Sequence, residues 1–308
     1  MKFNTSENEE EMKYEEFFCS TDLAGENDTI VVAVSVNIFL SITAVLGNAL
    51  ILVALQRESS LHPPSKLLFR SLATTDLCVG LVSEPMAVIH WMSLIYDPWN
   101  ICRNVFVSKV VVSYVLCGMS LLTMTAISVD RLLALLLGLK YRQVVTIRRT
   151  CILVTALWVK SIIFSTIYVK NNQVAITYVH VITSLCLTTS TVSYTTIFVK
   201  LRCRRNRGNA VECWAPKFDS NYFNMARFKK AVSSALWLQM TLIVCYLPSG
   251  VVIFWSTETS VSSSLVRASR ITTTLVFLNS SLNPILFCWK MREIRQAVKT
   301  ILGKLCCS

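Results

Sequence analysis

The chain has 308 residues, of which 53% are hydrophobic and only 16% charged, whereas soluble domains carry roughly 25% charge. A soluble fold of this size does not need so much apolar surface, so the composition favours a membrane protein. The net charge of +12 is segregated, because 9 of the 18 acidic residues fall in the first 28 positions and most basic residues lie between apolar blocks. This pattern is typical of membrane loops and disfavours a nucleic-acid-binding protein.

Seven apolar blocks are long enough to cross a bilayer core of roughly 30 Å, which needs about 20 helical residues. The sequence therefore predicts an all-α fold, a seven-transmembrane helix bundle. The predicted spans are Ile30–Leu55, Leu67–Met92, Val105–Leu137, Cys151–Val169, Val174–Lys200, Lys229–Trp255 and Leu265–Trp289.

Basic residues concentrate in the loops that follow spans one, three, five and seven, which places these loops in the cytoplasm. The predicted organisation is an extracellular acidic tail (1–29), a transmembrane domain (30–289) and a cytoplasmic helix and tail (290–308), in the plasma membrane. Asn4 and Asn27 begin glycosylation sequons in the tail assigned outside. That tail lacks a basic flank and an apolar core, so we expect no cleaved signal peptide.

Polar residues interrupt the apolar blocks near mid-membrane, where such groups are costly and usually face the bundle. They are Asn48, Asp76, Ser120, Asn279, Ser280 and Asn283. A carboxylate with several amide and hydroxyl oxygens is suited to a hard cation. Hydrogen bonding between helices without an ion is the open alternative.

Six short motifs occur in order on the predicted spans. They are Gly47-Asn48, Leu72-Ala-Thr-Thr-Asp76-Leu77, Asp130-Arg131-Leu132, Trp158, Cys245-Tyr246-Leu247-Pro248 and Asn279-Ser-Ser-Leu-Asn283-Pro284-Ile-Leu-Phe287. Together they resemble the fingerprint of the rhodopsin-like (class A) G-protein-coupled receptor family, over residues from about 30 to 302.

The resemblance implies a ligand-activated receptor, not an enzyme, that couples to heterotrimeric G proteins, with arrestin and receptor kinases as further partners. Arg131, beside Asp130, would engage the G protein when span six swings outward, and Tyr194 would support that state. Asn283, Pro284 and Phe287 belong to the same activation machinery. The resemblance implies no cofactor apart from an allosteric Na⁺, which would be held by Asp76, Ser120, Asn279, Ser280 and Asn283.

The chain departs from the family pattern at several positions. Tyr246 replaces the usual tryptophan above the span-six proline, and Phe287 replaces the usual tyrosine after Asn-Pro. Phe228 occupies the position of an acidic partner for Arg131. Phe106 replaces the usual span-three cysteine. The missing span-three cysteine, Cys186 in place of the usual span-five proline, and the sequence from Leu139 to Arg149 together are similar to the group of melanocortin, cannabinoid, lysophospholipid and adenosine receptors.

The same resemblance argues against several ligand classes. Ser113 stands where amine receptors carry a carboxylate, and Phe277 where opsins carry the retinal lysine. Phe106 and Val110 stand where melanocortin receptors carry acidic calcium ligands. The predicted ligand pocket therefore contains Glu84, Lys109, Ser113, Tyr246 and Arg270, and favours an extracellular lipid or other small anionic molecule.

Other classes remain as alternatives. A peptide or nucleoside receptor of the same family is the nearest one, and a receptor that acts as a non-signalling scaffold is more distant. A secondary transporter would show repeated halves around a midplane site, and the sequence has no internal repeat. The three histidines lie in different segments without ligand spacing, which disfavours a metal-dependent enzyme.

Behind span seven, Trp289–Leu302 is predicted to form an amphipathic helix at the inner membrane interface. Cys306 and Cys307 just beyond it are candidate palmitoylation sites, with an unmodified tail as the alternative.

Cys19 and Cys102 are the only two of the 12 cysteines that the topology places outside the cell, where thiols oxidise readily. We therefore predict a disulfide that holds the acidic tail across the pocket mouth, with Glu15 and Glu16 near Arg103 and Lys109. Two free thiols, one on the tail and one on a loop, are the alternative.

Overall fold

A computed structural model of the chain describes residues 19, 27–58, 61–96, 99–168, 171–211, 237, 240–256 and 262–306. Within these ranges the chain forms helices and no strand, so the predicted all-α fold is confirmed. Six helices are long and apolar enough to cross a membrane. A shorter apolar helix, Met240–Ser256, lies at the position of the predicted sixth span, and most of residues 229–239 lie outside the described ranges.

The helices follow the predicted order. Span one is Asn27–Arg57, span two covers residues 63–96, span three is Trp99–Leu137, span four is Ile147–Tyr168, span five is Asn172–Val211, span six is Met240–Ser256 and span seven is Ser263–Lys290. Span two consists of Pro63–Cys78, a π-helical turn at Val79–Ser83 and Glu84–Tyr96. A 3₁₀ turn at Gly138–Lys140 and the short helix Tyr141–Val144 connect spans three and four.

Local sequence sets the helix ends. Pro63 and Pro64 begin span two, where their missing N–H groups leave no helical hydrogen bond unmade. The Ser262 hydroxyl accepts a hydrogen bond from the Leu265 N–H at the start of span seven. Met291 is extended, so the cytoplasmic helix is Arg292–Cys306 and begins later than the predicted Trp289.

The distribution of polar and apolar side chains is the reverse of that in a soluble protein. Apolar side chains such as Phe39 and Leu46, each 66% exposed, cover the outside of the bundle, whereas Asn48, Asp76 and Asn283 are completely buried. A surface of this kind is stable in hydrocarbon, where exposed polar groups would lose their hydrogen-bonding partners. The chain is therefore a multi-pass membrane protein.

Spans one and seven touch at Gly47, where an added β-carbon would lie only 2.8 Å from Pro284 Cγ. Proline has no N–H, so Pro284 leaves the carbonyl of Ser280, four residues earlier, without its helical donor. The Asn48 side-chain amide donates to this oxygen at 3.0 Å. Asn48 thus provides the missing hydrogen bond inside the membrane and joins the two spans.

Candidate ligand cavity and coupling site

Spans three to seven enclose a cavity of about 220 Å³ in the outer half of the bundle. Its walls are mostly apolar and aromatic, and include Phe106, Tyr114, Phe164 and Phe277. Such a concave, mainly apolar site with few polar groups is typical of a binding site for a small molecule.

Each of the five spans contributes polar residues to the cavity wall. Among them are Lys109 and Ser113 on span three, Ser161 on span four and His180 on span five. The hydroxyls of Ser113 and Ser161 and the His180 Nε2 atom are buried without a hydrogen-bonding partner. Buried polar groups normally have partners, so these three atoms are available to a ligand or to water.

Lys109 is half-buried at the edge of the cavity. Its Nζ atom lies 3.3 Å from His90 Nδ1 and 4.8 Å from the centre of the Phe106 ring. No described carboxylate lies within ion-pair distance of it. The cavity therefore holds a positive charge that the described protein residues leave uncompensated.

Tyr246 lines the cavity and connects spans six and three. It is 7% exposed, and its hydroxyl donates to the Cys117 carbonyl at 3.1 Å. A ligand in the cavity would touch a side chain that holds span six against span three, close to the helix-bending Pro248.

Glu84 and Arg270 do not line this cavity, in contrast to the sequence prediction. Glu84 follows the π-helical turn, which adds a residue to the helical repeat and changes the direction in which the following side chains point. It is completely buried, and neither of its oxygens has a hydrogen-bonding partner. Arg270 is 5% exposed and donates to the Thr29 hydroxyl of span one at 3.4 Å.

At the mouth of the cavity, Cys19 and Cys102 form a disulfide bond with a Cα–Cα distance of 5.9 Å. Both cysteines are buried and belong to an apolar cluster with residues of spans one, two and three, including Trp91 and Phe106. The bond fixes this point of the tail to the top of span three. Glu15 and Glu16 lie outside the described residues.

Asp76 lies at the centre of a completely buried hydrogen-bond network. Its carboxylate accepts from the hydroxyls of Ser120 and Ser280, both at 2.9 Å, and from the Asn283 amide at 2.7 Å. The Asn279 amide instead points to the Met124 sulfur at 3.6 Å. Four of the five residues predicted for the sodium pocket therefore meet directly, and Asn279 lies beside them.

The residues of this network fit a hard cation. The side-chain oxygens of Asn279 and Asn283 are buried without a hydrogen-bonding partner, and the Asp76 carboxylate supplies a negative charge. Carboxylate, amide and hydroxyl oxygens are the ligands that such ions prefer.

At the end of span three far from the cavity, Asp130 receives three donors. Ser65 donates to one of its oxygens at 2.9 Å, Tyr141 donates to the other at 2.6 Å, and Arg131 forms an ion pair at 3.2 Å. The guanidinium of Arg131 also lies over the Phe69 ring, 5.6 Å from its centre. Span two and the short helix after span three thus hold this pair in place.

Sequence reasoning missed the roles of Ser65 and Tyr141. Tyr141 lies outside the membrane spans, where burial and its hydrogen bond to Asp130 raise its pKa to about 12. It therefore remains a hydrogen-bond donor at neutral pH. The sequence does show a tyrosine between Lys140 and Arg142, eleven residues after Asp130. Its contact with Asp130 could not be predicted, because it depends on the turn at Gly138, which has a positive φ of 51°.

Two further predicted coupling residues lie near this pair. The Tyr194 hydroxyl accepts from Ser128 at 3.0 Å and joins spans five and three. Phe287 is 1% exposed and packs edge-on against Phe69, with 5.3 Å between ring centres. Phe287 has no hydroxyl, so its contact with Phe69 is one of packing.

The predicted modification sites lie at the limits of what the structure describes. Asn4 and Cys307 are outside the described residues, and only the backbone is described at Asn27 and Cys306. These sites remain predictions.

Comparison with known proteins agrees with this architecture. A family model described as "7 transmembrane receptor (rhodopsin family)" matches residues 47–173. Human melanocortin receptor 3 is 24% identical over 93% of this chain and 90% of its own length, and mouse melanocortin receptor 5 is 25% identical over 90% and 85%. Rat histamine H2 receptor is 24% identical over 89% of this chain and 81% of its own length.

The structure combines a helical bundle, a cavity at one end and an Asp130–Arg131 pair at the other end. With the family match and these relatives, the chain is similar to the rhodopsin-like (class A) G-protein-coupled receptors. At 24–25% identity, the relatives do not determine its ligand.

The disulfide gives a prediction about the mouth of the cavity. The cysteines are 83 positions apart, and closing such a loop contributes up to about 4 kcal/mol in the chain-entropy model, less where helices already restrict the chain. We expect Cys19→Ser and Cys102→Ser to lower the melting temperature of the purified receptor equally, and the double variant to lower it no further. Cys151→Ser, at an exposed free thiol, is the matched control.

Peptide mapping of the non-reduced receptor provides the direct check. A linked Cys19–Cys102 peptide pair is expected. Alkylation of both cysteines in the native protein as readily as Cys151 would contradict the bond.

Proposed function

We propose that this receptor responds to a small anionic amphiphile, such as a single-chain lipid with a carboxylate or phosphate headgroup. The observation that carries the proposal is the uncompensated Lys109 ammonium at the edge of a mostly apolar cavity. A half-buried charge without an opposite partner is unfavourable, so an anion that reaches it gains both Coulomb attraction and a hydrogen bond.

The remaining cavity wall supports an amphiphile. The unpartnered Ser113, Ser161 and His180 atoms extend the polar side of the cavity, and the aromatic wall suits an apolar chain. The amide and ester groups of lipids can accept from the hydroxyls.

An amine ligand fits the cavity less well. Histamine is named for one of the relatives, but none of the described residues that line this cavity is Asp or Glu. A protonated amine would therefore meet Lys109 without a carboxylate to balance it. A peptide or nucleoside ligand remains the second candidate. The similarity to melanocortin receptors favours a peptide.

In the proposed mechanism, the ligand shifts an equilibrium between a closed and an open cytoplasmic end. It does so only to the extent that it binds the open state more tightly. Contact with Tyr246 would change how span six packs against Cys117 of span three. Opening between spans three, five and six would then expose Arg131 to the G protein, and the same opening would receive arrestin and receptor kinases.

The orientation of the chain in the membrane is part of this proposal. The extracellular side is assigned to the cavity mouth and the Cys19–Cys102 bond, and the cytoplasmic side to Arg131 and the basic loops. The plasma membrane is the site at which an extracellular ligand would reach the receptor.

The role of Lys109 can be tested by thermal shift with purified receptor. The test ligands are oleate and oleoyl lysophosphatidate, and monoolein is the uncharged control. We expect an anion to stabilise the receptor and Lys109→Gln to weaken its binding by roughly tenfold or more, because the pair is partly desolvated. Lys109→Arg should retain binding, and Lys200→Gln, at an exposed lysine of span five, is the control. Equal binding of the anions to wild type and Lys109→Gln would reject the proposed ligand class.

Coupling can be tested separately from binding. Arg131→Ala should abolish agonist-dependent nucleotide exchange on a G-protein panel and leave the thermal shift by the same agonist nearly unchanged, because Arg131 lies at the opposite end of the bundle from the cavity. Full exchange by this variant would contradict the coupling role.

The Asp76 network gives a prediction about sodium. Na⁺ would be held by Asp76 and its neighbouring serine and asparagine oxygens and would supply a positive charge that favours the closed state. Agonist affinity should therefore fall when NaCl replaces a salt of a bulky cation, and Asp76→Asn should remove this dependence. A sodium effect that is unchanged in Asp76→Asn would mean that these residues serve only to join the helices.

A further inference from the structure

A lysine lies on the outer surface of the bundle within the membrane. Lys160 of span four is exposed, among exposed apolar residues such as Val159 and Ile163. It is eight residues before the end of the helix at Tyr168, which places its Cα about 12 Å below that end. A charged side chain at this depth and facing lipid is costly and requires a partner.

The described contacts of Lys160 provide only a weak partner. Its Nζ atom lies 5.9 Å from the centre of the Tyr178 ring of span five, and no described carboxylate is within ion-pair distance. Tyr178 is six residues inside span five, so the ammonium remains about 9 Å below that end of the helix. Extension of the side chain toward the interface therefore does not bring the charge out of the hydrocarbon region.

A shallow, open groove follows span four beside this lysine, and all of its lining residues belong to that span. It is lined by Cys151, Ile152, Thr155, Ala156, Val159, Lys160, Ile163 and Phe164. From Lys160 to Cys151 the groove extends nine residues, or about 13 Å, toward the inner membrane face. Its lining is apolar apart from Lys160, Thr155 and Cys151.

We propose that this groove is a second ligand site, which binds a single-chain amphiphile with a small anionic headgroup. The headgroup pairs with the Lys160 ammonium, and the chain lies along Val159, Ala156 and Ile152 toward the inner face. This site is independent of the proposed ligand of the central cavity.

The depth of Lys160 in the membrane and its positive charge favour a single-chain anionic amphiphile in the groove. A phospholipid keeps its headgroup at the interface, whereas the Lys160 charge lies well below it, so a carboxylate or small phosphate on one chain fits better. A second copy of the receptor that docked symmetrically on the groove would bring two Lys160 ammonium groups together, and like charges in hydrocarbon repel strongly.

A pair of stacked rings separates the groove from the central cavity. Phe164 lines both spaces, and its ring lies parallel to the Tyr178 ring with 3.6 Å between the centres. Tyr178 in turn lines the cavity and lies under the Lys160 charge. An occupant of the groove therefore touches the wall of the cavity without entering it.

The test is photolabelling of the purified full-length receptor in neutral nanodiscs. The probe is a fatty acid with a diazirine in its chain, and its methyl ester is the uncharged control. We expect the acid to label residues 151–160, which line the groove but not the central cavity, oleate to compete, and the ester to label this segment far less.

The variants decide between headgroup recognition and general lipid contact. Lys160→Gln should lower the apparent affinity of the acid by roughly tenfold, Lys160→Arg should retain it, and Lys109→Gln should leave labelling of this segment unchanged. Equal melting temperatures establish that Lys160→Gln is folded. Equal labelling of wild type and Lys160→Gln, or of acid and ester, would overturn the site. Crosslinks between span-four peptides of two receptor copies would overturn it in favour of a dimer contact.

Discussion

The arrangement of the bundle depends on one buried carboxylate. Asp76 is completely buried, and spans two, three and seven approach closely enough for Ser120, Ser280 and Asn283 to donate to its carboxylate. Lipid tails are as apolar as the side chains around them, so apolar burial contributes little to helix association in a bilayer. Directional hydrogen bonds of this kind therefore specify which helix faces meet.

A second constraint comes from backbone atoms and reaches the cytoplasmic end. Pro284 frees the carbonyl of Ser280, and Asn48 supplies its donor, so span one is fixed to the same turn of span seven whose hydroxyl binds Asp76. About two turns further along, Phe287 packs on Phe69, and Phe69 lies under Arg131. The Phe287 and Phe69 rings thus lie between the polar centre and Arg131.

The sequence predicted the features that depend on local or additive properties. Span lengths follow from the apolar residues of each block, and the positions of Asp76, Asp130 and Asn283 follow from motifs in register. It did not predict the direction of Glu84, because a π-helical turn changes the helical phase before that residue. It also missed Ser65 and Tyr141 as partners of Asp130, because their contacts depend on how the turn at Gly138 returns the chain to span three.

The contacts of Arg131 bear on how the cavity controls coupling. The resemblance places Phe228, not an acidic residue, where span six would pair with Arg131. In the described part of the chain, Arg131 contacts Asp130 of span three and Phe69 of span two. Phenylalanine carries no charge, so Phe228 itself cannot form an ion pair with Arg131. Among the described contacts, the hydrogen bond from Tyr246 to the Cys117 carbonyl joins spans six and three. It lies in the cavity wall and two residues before Pro248, so a ligand that displaces Tyr246 acts where span six can bend. The contact that holds span six against span three and the proposed ligand site thus share the Tyr246 side chain.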